Sequence, residues 1–250
     1  MTTLTDKEFL RYHRHVMVEK IGESGQAKFK QARIAIVGLG GLGCPASQYL
    51  TASGVGNLVL IDPDCIELSN LQRQVLYREQ DIGQPKVQAA KARLKALNAK
   101  TEISTIEESV FDIDFYDVLQ QVDLVLDCTD NVKTRCFINA LCLETKTKLV
   151  SASAIQAQGQ LISFDFTDPN SPCYQCLFPN PKEENLNCST AGVFSPVLGV
   201  MGSLQATEAL RLLLGENDNI NQLSLFDAWG MAWNIFKVVK DPQCPVCSKT

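Results

Sequence analysis

The sequence predicts a doubly wound α/β fold, a mostly parallel sheet with helices on both faces that is extended on one side by antiparallel strands. Three observations carry this expectation. Short β-branched runs alternate with helix-length amphipathic segments over residues 33–153, glycines cluster at the first strand-to-helix junction, and after residue 155 longer strand-like stretches flank one apolar helix. The 250 residues, 45% hydrophobic and 20% charged, are enough for one large core. No spacer, repeat or low-complexity stretch divides them, so residues 1–250 are expected to form a single domain: a helical arm (1–30), a first half (31–155) and a second half (156–250).

In the arm, Phe9, Leu10, Val16, Met17 and Ile21 are the apolar positions of a charged helical segment. RIAIV (33–37) is a strand that meets GLGGLG (38–43), after which CPASQYLTASGV offers a helix. LVLID (58–62) is a second buried strand and PKVQAAKARLKALN (85–98) an amphipathic helix. EISTIEESV (102–110) and LVLDC (124–128) are the third and fourth strands, KTRCFINALCLETK (133–146) a helix and LVSAS (149–153) a strand. Beyond them QGQLISFDF (158–166) and LSLFDAWGMAWNIFKVV (223–239) have an antiparallel character, separated by a helix over Val197 to Leu214.

Charge and composition exclude several partners. With 23 Lys+Arg against 28 Asp+Glu the formal charge is −5, which leaves no general cationic surface for a nucleic acid backbone. The N-terminal segment is charged and does not resemble a signal peptide. Asn185 to Thr207 is long enough to span a bilayer, but Asn, Ser, Thr, Gln and Gly interrupt it, so neither membrane nor nucleic acid is an expected partner. A cytoplasmic protein follows, in which the ten cysteines stay reduced and serve metal binding or catalysis.

Gly38, Gly40 and Gly43 form GxGxxG between a strand and a helix, and Asp62 ends the next strand nineteen residues on. Glycine allows the tight turn and close phosphate approach, the helix N-terminus supplies N–H donors, and the acid accepts from a ribose hydroxyl. The alternative, glycines used only for packing at a corner, leaves the spaced acid unexplained. This fingerprint leaves NAD, FAD and ATP open. The following segment, Ser69 to Lys86, places Arg73 near the crevice at the strand ends and Lys86 after Pro85 at a helix start, where a cation opposes the helix dipole by about 0.3–1 kcal/mol unless a polyphosphate relieves it. As isolated residues both are ordinary surface charges; beside the glycine turn they become phosphate contacts. In DCTDN (127–131), Asp130 is placed to cap the next helix, and a hard carboxylate at the end of a central strand also suits Mg²⁺. Arginine, lysine and a metal-binding carboxylate together favour attack at phosphorus over hydride transfer.

Cys173 with Cys176 and Cys244 with Cys247 form two CxxC turns, the pattern of a closed tetrahedral Zn²⁺ site that ties the C-terminal tail to the body. Cys44, Cys128, Cys136 and Cys142 fall in or beside predicted strands and helices as small apolar groups, and Cys65 has no assignment. Cys188 lies in the polar stretch KEENLNCSTAGV, where thiolate chemistry competes evenly with an inert loop cysteine.

RYHRH (11–15), GLGGLG, SNLQRQ, GQPK, LVLDCTDN, CYQC, NCSTAGV, GVMGSLQATEA and CPVC occur in the order found in the ThiF/MoeB/HesA family, bacterial relatives of ubiquitin-activating enzymes, and the resemblance covers nearly the whole chain. It implies a Rossmann-like adenylation domain whose second half bears zinc and binds the carrier. The implied activity is ATP-dependent adenylation of the C-terminal glycine of a ubiquitin-like sulfur carrier ending in Gly-Gly, with release of pyrophosphate. Residue by residue, it implies that Gly41 and the neighbouring backbone contact ATP, that Asp62 binds ribose, and that Asn70, Arg73 and Lys86 hold phosphates. Gln74 and Asn131 join the nucleotide site and Asp130 takes Mg²⁺. Arg14 matches an arginine that reaches the partner subunit's ATP site, which implies a homodimer. Cys188 matches a thiol that joins the activated carrier in ThiF-like members, and a sulfur donor such as a cysteine desulfurase belongs with that step. CLFPNP and NCSTAGV resemble ThiF members, whereas GLGCPASQYL and GVGNLVLID resemble MoeB members; the lean is to a ThiS-type carrier for thiamine synthesis, with a MoaD-type carrier for molybdopterin second. A nicotinamide-dependent oxidoreductase and a non-catalytic dimeric scaffold are the competing functions.

Overall fold

The computed structural model describes residues 4–179 and 191–248. The arm is two helices, α1 (Asp6–Val16) and α2 (Gly22–Gln31). Thr5 and Glu8 close a reciprocal capping box at the start of α1, and Lys30 of α2 pairs with Glu8 at 2.9 Å. The chain then alternates: β1 (Arg33–Val37), α3 (Gly43–Ala52), β2 (Asn57–Ile61), α4 (Lys86–Leu97), β3 (Glu102–Ile106), α5 (Phe115–Leu119), β4 (Leu124–Asp127), α6 (Val132–Thr145) and β5 (Lys148–Ile155). Next come β6 (Gln158–Phe164), α7 (Tyr174–Leu177), α8 (Ser195–Leu214), β7 (Gln222–Asp227) and β8 (Ala232–Lys237).

All eight strands form one sheet in the order β3-β2-β1-β4-β5-β6-β7-β8. The first five are parallel and the last three antiparallel, as the change of pattern after residue 155 predicts. Alternate residues of the central strands enter two separate cores. Ile34, Ile36, Leu58, Leu60, Leu124 and Leu126 pack under α3, α4 and α8, while Ala35, Val37, Val59, Ile61 and Val125 face α5 and α6. Both faces are therefore apolar, which is why these strands are continuous hydrophobic runs.

Several boundaries differ from the sequence expectation. The third strand stops at Ile106, because the acidic continuation Glu107–Glu108 has no neighbouring strand. The segment 223–239 is a hairpin rather than one stretch, turning between Asp227 and Ala232. Its outer strand β8 is exposed along its whole length. Ser195–Leu214 has the length and apolarity to cross a membrane, yet half of it is buried against α3, β5 and β6 and its Glu208 accepts from Ser163 at 3.0 Å, so it is a core helix.

Candidate nucleotide site and cysteine cluster

Between β1 and β4 the chain direction of the crossovers reverses, and a cavity of about 1150 Å³ opens there at the carboxyl ends of the strands. One wall is the glycine turn. Gly38 has φ +92°, and a Cβ on it would stand 2.8 Å from the Cys128 carbonyl oxygen; a Cβ on Gly43 would overlap the Gly38 carbonyl. The fold itself demands these two glycines. A Cβ on Gly40 would meet only Gln74 Nε2 at 3.6 Å, an ordinary contact, so the bare backbone there is not needed for packing and is left for a ligand. Leu39 anchors the turn: its N–H donates to Asp62 Oδ2 at 2.7 Å, and its carbonyl accepts from Tyr77 Oη at 2.8 Å. Behind it α3 begins at Gly43 with no side-chain cap from Leu42, but the helix start supplies fewer free donors than the sequence suggests: the Cys44 N–H already bonds to the Gly40 carbonyl at 3.0 Å and Pro45 has no N–H, so of its first three residues only Gly43 keeps an N–H unbonded among the described residues.

Opposite the turn stand Asn70, Arg73, Gln74 and Lys86. Lys86 is the first residue of α4, with Pro85 in the capping position just before the helix rather than inside it. The predicted conflict with the helix dipole is already relieved, because the ammonium lies 2.7 Å from Asp64 and 3.6 Å from Asp62. Burial opposes its charge, but the two carboxylates outweigh burial and hold Lys86 above its ordinary pKa. Arg73 is half-buried and donates to the Ser69 carbonyl at 3.0 Å; among the described residues no carboxylate pairs with it. Gln74 is buried and its Oε1 has no hydrogen-bond partner, an orphaned acceptor in the wall of a polar cavity.

The end of β4 completes the wall with Thr129, Asp130 and Asn131. The residue that caps α6 is Asn131, which accepts from the Thr134 N–H at 2.9 Å, and not Asp130 as the sequence suggests. Asp130 is thereby left exposed at the cavity with no cationic partner among the described residues. Four further charged residues line the cavity that the sequence does not single out, Asp64, Glu67, Glu108 and Arg135, and two of them bear on the site's geometry. Asp64 was passed over beside Asp62, although Asp62 spends its oxygens on the N–H groups of Leu39 and Asp64, whereas the Asp64 side chain is 65% exposed. Arg135 looks like a surface arginine of a helix but is buried against the cavity. Arg14 is exposed on α1 and does not line the cavity of its own chain. Cys188 lies outside the described residues.

In the second half, Cys173, Cys176, Cys244 and Cys247 converge, their four sulfurs all within 4.8 Å of one another. Cys173 to Cys244 is 3.6 Å and Cys176 to Cys247 3.3 Å, beyond a disulfide bond of about 2.05 Å and near the ~3.8 Å that tetrahedral Zn–S bonds of ~2.3 Å impose. The donor set fits a zinc site. The cluster touches the cavity through α7: Cys173 and Cys176 bracket its first turn, and Tyr174 and Leu177 of the same turn line the cavity wall.

A doubly wound sheet with a cavity at its switch point, lined by a glycine turn, cations and carboxylates, has the architecture of a nucleotide-binding α/β protein. The chain belongs to the ThiF family, whose model matches residues 12–246. It is 43% identical over 245 residues to a sulfur carrier protein ThiS adenylyltransferase of Escherichia coli K12, covering 98% of this chain and 97% of that one. It is 42% identical over 250 residues to the molybdopterin-synthase adenylyltransferase of the same organism, end to end in both. A crystal structure of E. coli MccB with ATP superposes with a TM-score of 0.80 at 25% identity, covering 95% of this chain and 73% of that one. The protein is accordingly a nucleotidyltransferase of the adenylylating class, and the oxidoreductase alternative is set aside.

Proposed function

We propose that this enzyme uses ATP to adenylate the C-terminal glycine carboxylate of a ubiquitin-like sulfur carrier protein, releasing pyrophosphate. The observation that carries the reading is one cavity lined by the side-chain-free backbone at Gly40, by Arg73 and by Asp130, two opposite charges with no ion-pair partner among the described residues. The curated relatives named for ThiS and for molybdopterin synthase support the carrier class, and their near-equal identities of 43% and 42% do not separate the two carriers. The lean to a ThiS-type carrier rests on the motifs of the second half.

In this reading the backbone of the glycine turn through Gly43 holds the triphosphate, Asn70 and Gln74 add polar contacts, and Asp62 and Asp64 receive the ribose hydroxyls. Arg73 and Lys86 draw charge from the phosphates as the carrier's carboxylate attacks the α-phosphorus and pyrophosphate leaves. Asp130 would hold magnesium, which would supply further charge neutralisation for the phosphates. No protein nucleophile is needed; orientation of two reactants does most of the work. Arg14 acts on the partner subunit's site in a homodimer, zinc would fill the cysteine cluster, and in a later step the Cys188 thiolate attacks the carrier's acyl adenylate, forming a thioester as the acyl–phosphate bond breaks and AMP leaves.

ATP–pyrophosphate exchange tests the assignment. Exchange should require a carrier ending in Gly-Gly, with the ThiS-type carrier exchanging faster than the MoaD-type. Equal exchange with a carrier lacking its final glycine would refute the substrate.

A further inference from the structure

We infer that the buried pair Arg135–Asp127 is a positioning device that sets the turn carrying Asp130, and so tunes how that carboxylate meets the magnesium-bound phosphates. The inference rests on the proposed role of Asp130. Asp127 ends β4 almost wholly buried, and both its oxygens are committed: Oδ1 accepts from the Thr129 N–H at 3.0 Å and from Thr129 Oγ1 at 2.6 Å, while Oδ2 accepts from Ser151 Oγ at 2.7 Å. Arg135, buried on α6, lies 3.6 Å from Asp127 Oδ2 and donates to Ser151 Oγ at 3.2 Å and to the Thr129 carbonyl. Thr129 is thus gripped on three polar atoms, and Asn131 is fixed by its cap on Thr134. Only Asp130, between them, has no bond of its own among the described residues and lies at the cavity wall.

An apolar pair would close a strand end at no desolvation cost, and a buried ion pair is rarely retained for stability alone. Here the pair spans the base of a turn that must present one carboxylate in one place. Groups that orient a metal ligand from behind change metal affinity or activity about 10- to 100-fold when removed.

The test is a double-mutant cycle read in two ways, as the magnesium dependence of ATP binding by calorimetry in the absence of any carrier and as pyrophosphate exchange against magnesium concentration. The variants are Asp130→Ala, the charge-neutral pair Asp127→Asn with Arg135→Gln, which leaves no orphaned charge, and their combination. Ser151→Ala, which removes its two bonds to the pair but keeps both charges, serves if the pair variant melts early. We expect the pair variant to raise the magnesium requirement and lower exchange about 10- to 100-fold, Arg135→Lys to recover part of it, and the pair to have no further effect once Asp130 is Ala. Losses that multiply in the combined variant, or an unchanged magnesium requirement in both the pair and Ser151→Ala, would overturn the inference. If Asp130→Ala itself leaves exchange and magnesium dependence intact, the site assignment fails instead.

Discussion

At the glycine turn the partners that hold the site sit on adjacent strand ends or within a few residues of one another: Leu39 on Asp62, Thr129 on Asp127, Arg73 on the Ser69 carbonyl. In the cysteine cluster each thiol instead meets one 71 residues away. The difference is physical. Parallel register between β1, β2 and β4 brings the first set together whenever the sheet forms, whereas the second set needs a long loop closed by a short tail, a cost in chain entropy that a few thiol contacts do not offset. A metal with four thiolate bonds does offset it. The nucleotide half should therefore fail in chemistry when its side chains change, and the tail half should fail in stability.

The strongest contrast lies at Arg73. Among the described residues its side chain bonds to the fold through the Ser69 carbonyl, so Arg73→Ala should lower carrier-dependent turnover on the order of a thousandfold while the melting temperature stays put. Unchanged turnover would return it to the solvated surface and dissolve the contrast. On the other side, chelation or Cys244→Ser should lower the melting temperature, roughly 2–4 °C for each kcal/mol lost, and elemental analysis should find about one zinc per chain. Because α7 joins cluster to cavity wall, the same treatment should raise the KM for the carrier more than that for ATP. A metal-free protein with an unaltered melting curve would contradict the structural metal.

Within the turn itself the two kinds of failure can be separated by one methyl group. Gly43→Ala should destabilise by about 1–3 kcal/mol through overlap with the Gly38 carbonyl, while Gly40→Ala should leave stability intact and weaken ATP binding, both measurable by calorimetry. The smallest expected effect lies outside both regions. The Thr5 backbone N–H and then Lys30 hold the Glu8 carboxyl at about 2, below its ordinary 4.5. Its folded pKa is depressed, so its stabilisation is present above pH ~4.5 and is lost as pH falls toward 2. Glu8→Gln should cost at most about 1 kcal/mol at pH 7, seen in denaturant melts, and the deficit should vanish in acid with turnover unaffected.

Much of this organisation was legible beforehand because it is local. Continuous apolar runs marked the parallel strands, GLGGLG marked the turn, and the CxxC spacings marked the cluster. What stayed hidden depends on which side chain fills a bond first. Asn131 outcompetes Asp130 for the α6 cap, and Asp64 shares Lys86 with an Asp62 already occupied. Arg135 was hidden because helical arginines are mostly solvated. The available signal was Asp127, a charge closing the buried run LVLD, which must find a cation, and Arg135 is the one the fold supplies.

Following the α-phosphorus is the most direct check on the account. With ATP labelled at that phosphorus, magnesium and a Gly-Gly carrier, the label should appear on the carrier's C-terminus as pyrophosphate is released in equal amount. Release of ADP and inorganic phosphate, or label that never reaches the carrier, would contradict it.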